Sequence, residues 1–174
     1  MIKMIYLKKI GLSLLLLSAF NGCYNIVIPP KTHGHVEVVF ENPDHFTDIK
    51  DSALPTEKGQ LEIINNLKEF IINEVNPYIN DNQKLMIIFT DIDLAGDFET
   101  WRGPEWDNVR IVKSIYPPHL SFSWQIVDSA GLVVKKGTED IRDLAFDMRV
   151  TLDKSDSLHI EKDMLKDWIF YHLK

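Results

Sequence analysis

One cysteine in 174 residues excludes an intramolecular disulfide framework and any zinc cluster built on cysteines. Positive charge is also short. The chain has 19 Lys and Arg against 26 Asp and Glu, a net charge of −7. A nucleic-acid binder needs a basic surface to neutralise phosphates, so this balance argues against one. The chain lacks a Gly-x-Ser-x-Gly elbow and a His-Glu-x-x-His pair, the signatures of common serine and zinc hydrolases. It has no phosphate-cradling loop: Gly96 and Gly103 are seven apart, with no Lys-Ser/Thr following. What is present is the composition of a folded domain, 45% hydrophobic and 26% charged. Disordered, collagen-like and polytopic membrane classes are excluded on that basis.

The first 22 residues read as an export signal. Lys3, Lys8 and Lys9 form a positive n-region, and Ile10 to Phe20 is an uncharged, largely apolar stretch of 11 residues. That is too short to span a ~30 Å hydrocarbon core, which takes roughly 20 helical residues, but it fits a secretory h-region. Phe20-Asn21-Gly22 before Cys23 resembles a bacterial lipobox, with Phe20 in place of Leu and Gly22 in the usual small-residue position. Cys23 is the expected lipid-attachment site and mature N-terminus. A free thiol in an oxidising compartment is a liability unless it is consumed, and acylation consumes it. The alternative is a simple secretory signal and a soluble periplasmic protein. Removing residues 1–22 takes away three Lys and no acid, leaving −10 on the remainder. So acidic a surface does not favour anionic headgroups, and membrane attachment would come from the acyl chains. Tyr24, in place of the Asp that resembles an inner-membrane retention signal, implies the periplasmic side of the outer membrane.

Residues 23–34 read as a tether stiffened by Pro29-Pro30, and 35–174 as one domain. His35 to Glu41 alternates as a half-buried strand, with Val36, Val38 and Phe40 on one face. Thr56 to Asn76 is a long helix. It is capped by Thr56, carries Leu61, Ile64, Leu67, Ile71 and Val75 on one stripe, and ends at Pro77. Lys84 to Thr90 has five apolar residues in a row, which predicts a central strand covered on both faces. Val109 to Tyr116, His119 to Asp128 and Leu132 to Glu139 read as a three-strand meander, with a glycine turn at Gly131. A short helix over Asp140 to Met148, a polar link over Asp147 to Asp156 and a final helix over Ile160 to Leu173 complete the chain. In that last helix Met164, Leu165, Trp168 and Tyr171 or His172 face inward. The expected class is α+β, a mixed or antiparallel sheet of about five strands with helices packed on it.

Several runs resemble the bacterial domain-of-unknown-function family numbered 3016. They are Asp91-Ile-Asp-Leu-Ala-Gly-Asp-Phe-Glu99, Trp101-Arg-Gly-Pro-Glu-Trp106, Val109-Arg-Ile-Val-Lys113, Tyr116-Pro-Pro118 and Glu161-Lys-Asp-Met-Leu-Lys-Asp-Trp168. The resemblance covers roughly residues 35 to 172. It implies one exported envelope domain and carries no activity, cofactor or catalytic residue with it.

The candidate ligand loop is the stretch holding Asp91, Asp93, Asp97, Glu99, Trp101, Arg102, Trp106 and Asp107. It follows the strand expected to be most buried, and strand ends are where ligand sites are often built. Carboxylates two apart can supply oxygens to Ca²⁺ or Mg²⁺. The EF-hand pattern fails, because Ala95 occupies its third ligand position and Arg102 its twelfth. The plainer reading pairs Asp91 and Asp93 with Arg102 or Arg110, or has them accept backbone N–H bonds that hold the loop. Phe98, Trp101 and Trp106 offer either a stacking platform for a sugar or peptide, or a cap on the core. His33 and His35 are an incidental surface pair without a third ligand nearby. No catalytic residue, metal or cofactor is expected. The function expected is that of an exported envelope lipoprotein, a non-enzymatic binding or envelope-assembly module. Its expected contacts are the membrane through its lipid and an envelope protein or glycan, with no nucleic acid. The alternative is a metal-dependent or carboxylate-based hydrolase using the acidic loop.

Overall fold

Strand order follows from which residues can be buried on one side. The computed structural model describes residues 35–149 and 155–174. The expected signal 1–22, Cys23, the tether up to residue 34 and the middle of the polar link (150–154) lie outside the described residues. Strand β1 is Val36–Phe40, helix α1 Glu57–Val75, β2 Gln83–Asp93, β3 His119–Asp128, β4 Val133–Arg142 and helix α2 His159–His172. The sheet runs β1-β2-β3-β4. β1 lies parallel to β2, while β2–β3 and β3–β4 are antiparallel. The class is α+β with a mixed sheet.

Period-two patterning decides which face carries the helices. Leu120, Phe122, Trp124 and Ile126 of β3 are buried beside Leu85, Ile87 and Phe89 of β2 and Val36 and Val38 of β1. Helix α1 lays Ile64, Leu67, Ile71 and Val75 on this face, all completely buried. Each such side chain contributes roughly 1.5–3 kcal/mol by leaving water. The Thr56 hydroxyl accepts a bond from the Gly59 amide and caps the helix, as the sequence predicts. Helix α2 closes the other half of the same face. Trp168 meets Phe122 edge-on at 5.0 Å between ring centroids and Trp124 at 5.7 Å. His172 stacks on Trp168, and Tyr171 points to solvent. The β3–β4 turn is held by the Asp128 carboxylate, which accepts from the Ala130 and Leu132 amides, with Gly131 at φ 80°. Gly137 lies opposite Trp124, and a Cβ there would sit 2.7 Å from the indole nitrogen. Only glycine lets that ring lie across β4.

Four expectations are corrected. The sheet has four strands, not about five, because Val109 to Tyr116 makes only an isolated bridge, between Ile111 and Asp97. Its Val109, Val112 and Ile115 are exposed, and Arg110 is drawn into an ion pair instead of a ladder. β2 is central but covered on one face only, with Met86 and Ile88 half-buried on the other. Asp140 to Met148 is not a helix. β4 continues to Arg142 because β3 supplies partners as far as His119, and only Phe146–Met148 forms a 3-10 turn. β2 extends to Asp93, three residues past its expected end.

Candidate functional site

A one-residue irregularity sets the geometry of the acidic stretch. The β2–β3 register slips between Phe89 and Asp91, leaving Thr90 unpaired. A regular strand would have turned Asp91 and Asp93 into the core and Ile92 out. With the bulge, Ile92 is fully buried and both carboxylates move to the helix-free face of the sheet.

On that face the Asp91 carboxylate accepts bonds from the Thr47 amide (2.7 Å) and the Thr47 hydroxyl (2.8 Å). Its Oδ2 lies 3.7 Å from Nδ1 of His119. Nε2 of His119 reaches Asp140 Oδ1 at 2.5 Å, with the Ser121 hydroxyl 3.3 Å away. The imidazole is therefore a bridge between carboxylates of two strands. Asp93 lies opposite His119 and beside Asp48. Its carboxyl is pushed above the usual range by burial, then by the negative charge of Asp48.

The two arginines do other work than pairing with Asp91 and Asp93, which corrects that branch of the expectation; the other branch, a carboxylate accepting a backbone N–H, is what Asp91 does with Thr47. Arg110 forks onto Asp48 at 2.9 and 3.1 Å and also donates to the Gly96 and Lys50 carbonyls, both at 2.9 Å. Its guanidinium lies 4.7 Å from the centre of the Phe98 ring. Gly96, at φ 82°, lets the chain pass so close to Ile111 that a Cβ would sit 2.7 Å from its carbonyl oxygen. Arg102 pairs with Glu99 instead. Asp48 lies in a segment without readable periodicity, so the sequence offered no reason to single it out.

Glu99 is the hub of the loop. Its side chain is only 2% exposed. It accepts bonds from Lys113 Nζ (2.5 Å), from the Tyr116 hydroxyl (3.1 Å) and from the Arg102 guanidinium. The Lys113 bond, aided by Arg102 and Tyr116, holds its carboxyl down at about 2. Burial and this same carboxylate push the Tyr116 hydroxyl upward. Asp97 caps its own neighbour, accepting from the Phe98 amide at 2.7 Å, and its backbone pairs with Ile111. The Asp107 carbonyl accepts from the Ala53 amide. Phe98 folds into the core, Trp106 is half-buried under Arg102 at 5.5 Å, and Trp101 is 72% exposed. Val112 and Ile115 of the same loop are exposed as well.

Sequence reasoning passed over one further buried acid. Glu161, on the first turn of α2, is 1% exposed. One oxygen accepts from the Ala95 amide at 2.7 Å, tying the helix to the start of the loop, and the other has no hydrogen-bond partner. Burial drives its carboxyl above the usual range. The helical spacing Glu161–Leu165–Trp168 was the available signal, since it places the acid on the inward stripe.

Among the described residues, no group of three or more His, Cys, Asp or Glu is arranged to hold a metal ion. No helix there is long and apolar enough to cross a membrane. The arrangement is an ion-paired scaffold that holds a loop in place while leaving one tryptophan and three aliphatic side chains in solvent. A family model described as a protein of unknown function, DUF3016, matches residues 34–170. No curated protein matches the chain, and no solved structure does.

Proposed function

Because the chain belongs to the DUF3016 family, whose function is unknown, we propose from its own residues that it is an exported, lipid-anchored envelope protein that works by binding a partner. The observation that carries binding is the division of labour in the loop. Glu99 and Asp48 are consumed by internal cations, whereas Trp101 is held out in solvent with Val112 and Ile115. Buried, ion-paired acids fix backbone geometry; an exposed tryptophan on a rigid loop is the kind of anchor that dominates interfaces. The partner class is an envelope protein or a glycan, both of which an aromatic platform can stack against. Lys3, Lys8, Lys9, the apolar stretch to Phe20 and Gly22-Cys23 support delivery to the periplasmic face of the outer membrane through acylated Cys23.

The test uses the full chain in a bacterial host. Radiolabelled palmitate should label the wild type and not Cys23→Ser; equal labelling removes the anchor. Affinity capture from envelope extracts should then recover a component that Trp101→Ala loses at unchanged melting temperature. If Trp101→Ala captures as well as wild type, while an equally stable Asp93→Asn does not, the carboxylates on the open face are the site and the loop reading fails.

A further inference from the structure

Among the described residues β4 ends the sheet, and its exposed residues are ordered as if to meet themselves. Asp143 donates its amide to the Pro118 carbonyl, and the β3–β4 register is regular from His119 to Ile126. In an antiparallel ladder, pairs alternate between bonded and non-bonded. The odd-numbered residues Lys135 to Ile141 therefore bond to β3. Lys136, Thr138, Asp140 and Arg142 direct their N–H and C=O groups outward. All four side chains are exposed. The intervening positions are engaged within the chain: Glu139 accepts from the Trp124 indole, and Lys135 donates to the His172 carbonyl. An outward row of unpaired backbone groups is a template for another strand.

We infer that β4 pairs antiparallel with β4 of a second copy, about a two-fold axis through Thr138, so that two four-stranded sheets join into one. A two-fold normal to the sheet maps each face onto itself, so the axis must pass through a residue position. Centring on Thr138 sets Lys136 against Asp140 twice and Thr138 against Thr138. Opposite charges and Thr–Thr pairs facing one another stabilise a ladder. Neighbouring registers do worse. Centring on Lys136 or Asp140 stacks like charges at the axis. Centring on Glu139 opposes Lys136 and Arg142. Centring on Gly137 opposes Lys136 and Thr138 and pairs neither charge. A shallow depression of about 410 Å³, lined by Met86, Ile88, Ser123, Gln125, Lys136 and Thr138, borders this edge. In the dimer its two copies flank the axis on one continuous face.

The experiment is oxidative cross-linking of the full chain in intact cells, with wild type reporting any contribution of Cys23. Thr138→Cys should give a disulfide-linked dimer, since directly opposed residues of an antiparallel pair lie within bridging distance. Glu62→Cys, on the exposed face of α1, should not. Adding Lys136→Asp to Thr138→Cys should slow dimer formation about tenfold, the equivalent of ~1.4 kcal/mol. Adding Asp140→Lys to that pair should restore it. Cross-linking no faster than in Glu62→Cys, insensitivity to the charge reversal, or a Thr138→Cys adduct with the mass of a different protein would each overturn the proposal.

Discussion

Two glutamates are equally shielded from solvent in this molecule and differ in charge preference. Glu99 has three donors around it, two of them cationic, and is held ionised. Glu161 has one backbone amide and an orphan oxygen, and is pushed towards the neutral acid. Solvent is excluded from both, 2% and 1% exposed. Glu99 is covered by its own cationic partners, whereas Glu161 lies in the packed interior, so partners hold one carboxyl down and desolvation pushes the other up. The contrast also separates two ways of fixing a loop. Residues 97–116 are clamped by ion pairs, whereas Ala95 is pinned to α2 by a single bond from a helix acid.

The contrast can be broken at the clamp first. Asp48→Ala strands the half-buried guanidinium of Arg110 with only carbonyl partners, so it should cost about 3 kcal/mol. That is a fall of roughly 6–12 °C in melting temperature for a domain of this size, read by calorimetry. Glu99→Gln should come next, lowering the melting temperature by several degrees at pH 7. Its pH dependence is the sharper readout. A carboxyl lowered from 4.5 to about 2 on folding stabilises fully above pH 4.5, and that contribution is lost as pH falls towards 2. Glu99→Gln should therefore flatten the acid limb of the stability curve, and an unchanged limb would mean the carboxylate is not what Lys113 holds. Glu161→Gln should have the smallest effect and the opposite sign. Its raised carboxyl costs stability as pH climbs above its unfolded value, so removing the charge should raise the melting temperature at pH 7. The gain should fade below about pH 4, and a destabilised Glu161→Gln at neutral pH would refute the upward shift of its carboxyl.

These same residues mark how far the sequence could be read. Strand β3 declares itself because one face is core and the other solvent, so Leu120-x-Phe122-x-Trp124-x-Ile126 can only be a half-buried strand. Helix α1 declares itself through its stripe and its Thr56 cap. Val109 to Tyr116 misled because Val and Ile suit strands in general, while the local outcome was settled by Asp48, some sixty residues away, capturing Arg110. The loop could be located, since acids, Gly and Trp concentrate there. Its wiring could not, because Glu99 finds Lys113 and Tyr116 through a chain path with no periodicity. Glu161 was legible in principle from its place on the α2 stripe, but a lone acid in a charged helix looks like a solvent residue.

The parallel pairing of β1 with β2 has a kinetic consequence. Hairpin β3–β4 joins by local, antiparallel contacts, but β2 reaches β3 across the long loop, and β1 can bond only once β2, which lies beyond α1 in the chain, is present. Loop closure of that length must precede the reward of pairing, and it makes such contacts late. The leading third of the domain therefore stays without a ladder until the central strand is in place. Under the export proposed above, that order would leave β1 and α1 without a sheet to lock into until β2 had followed them across.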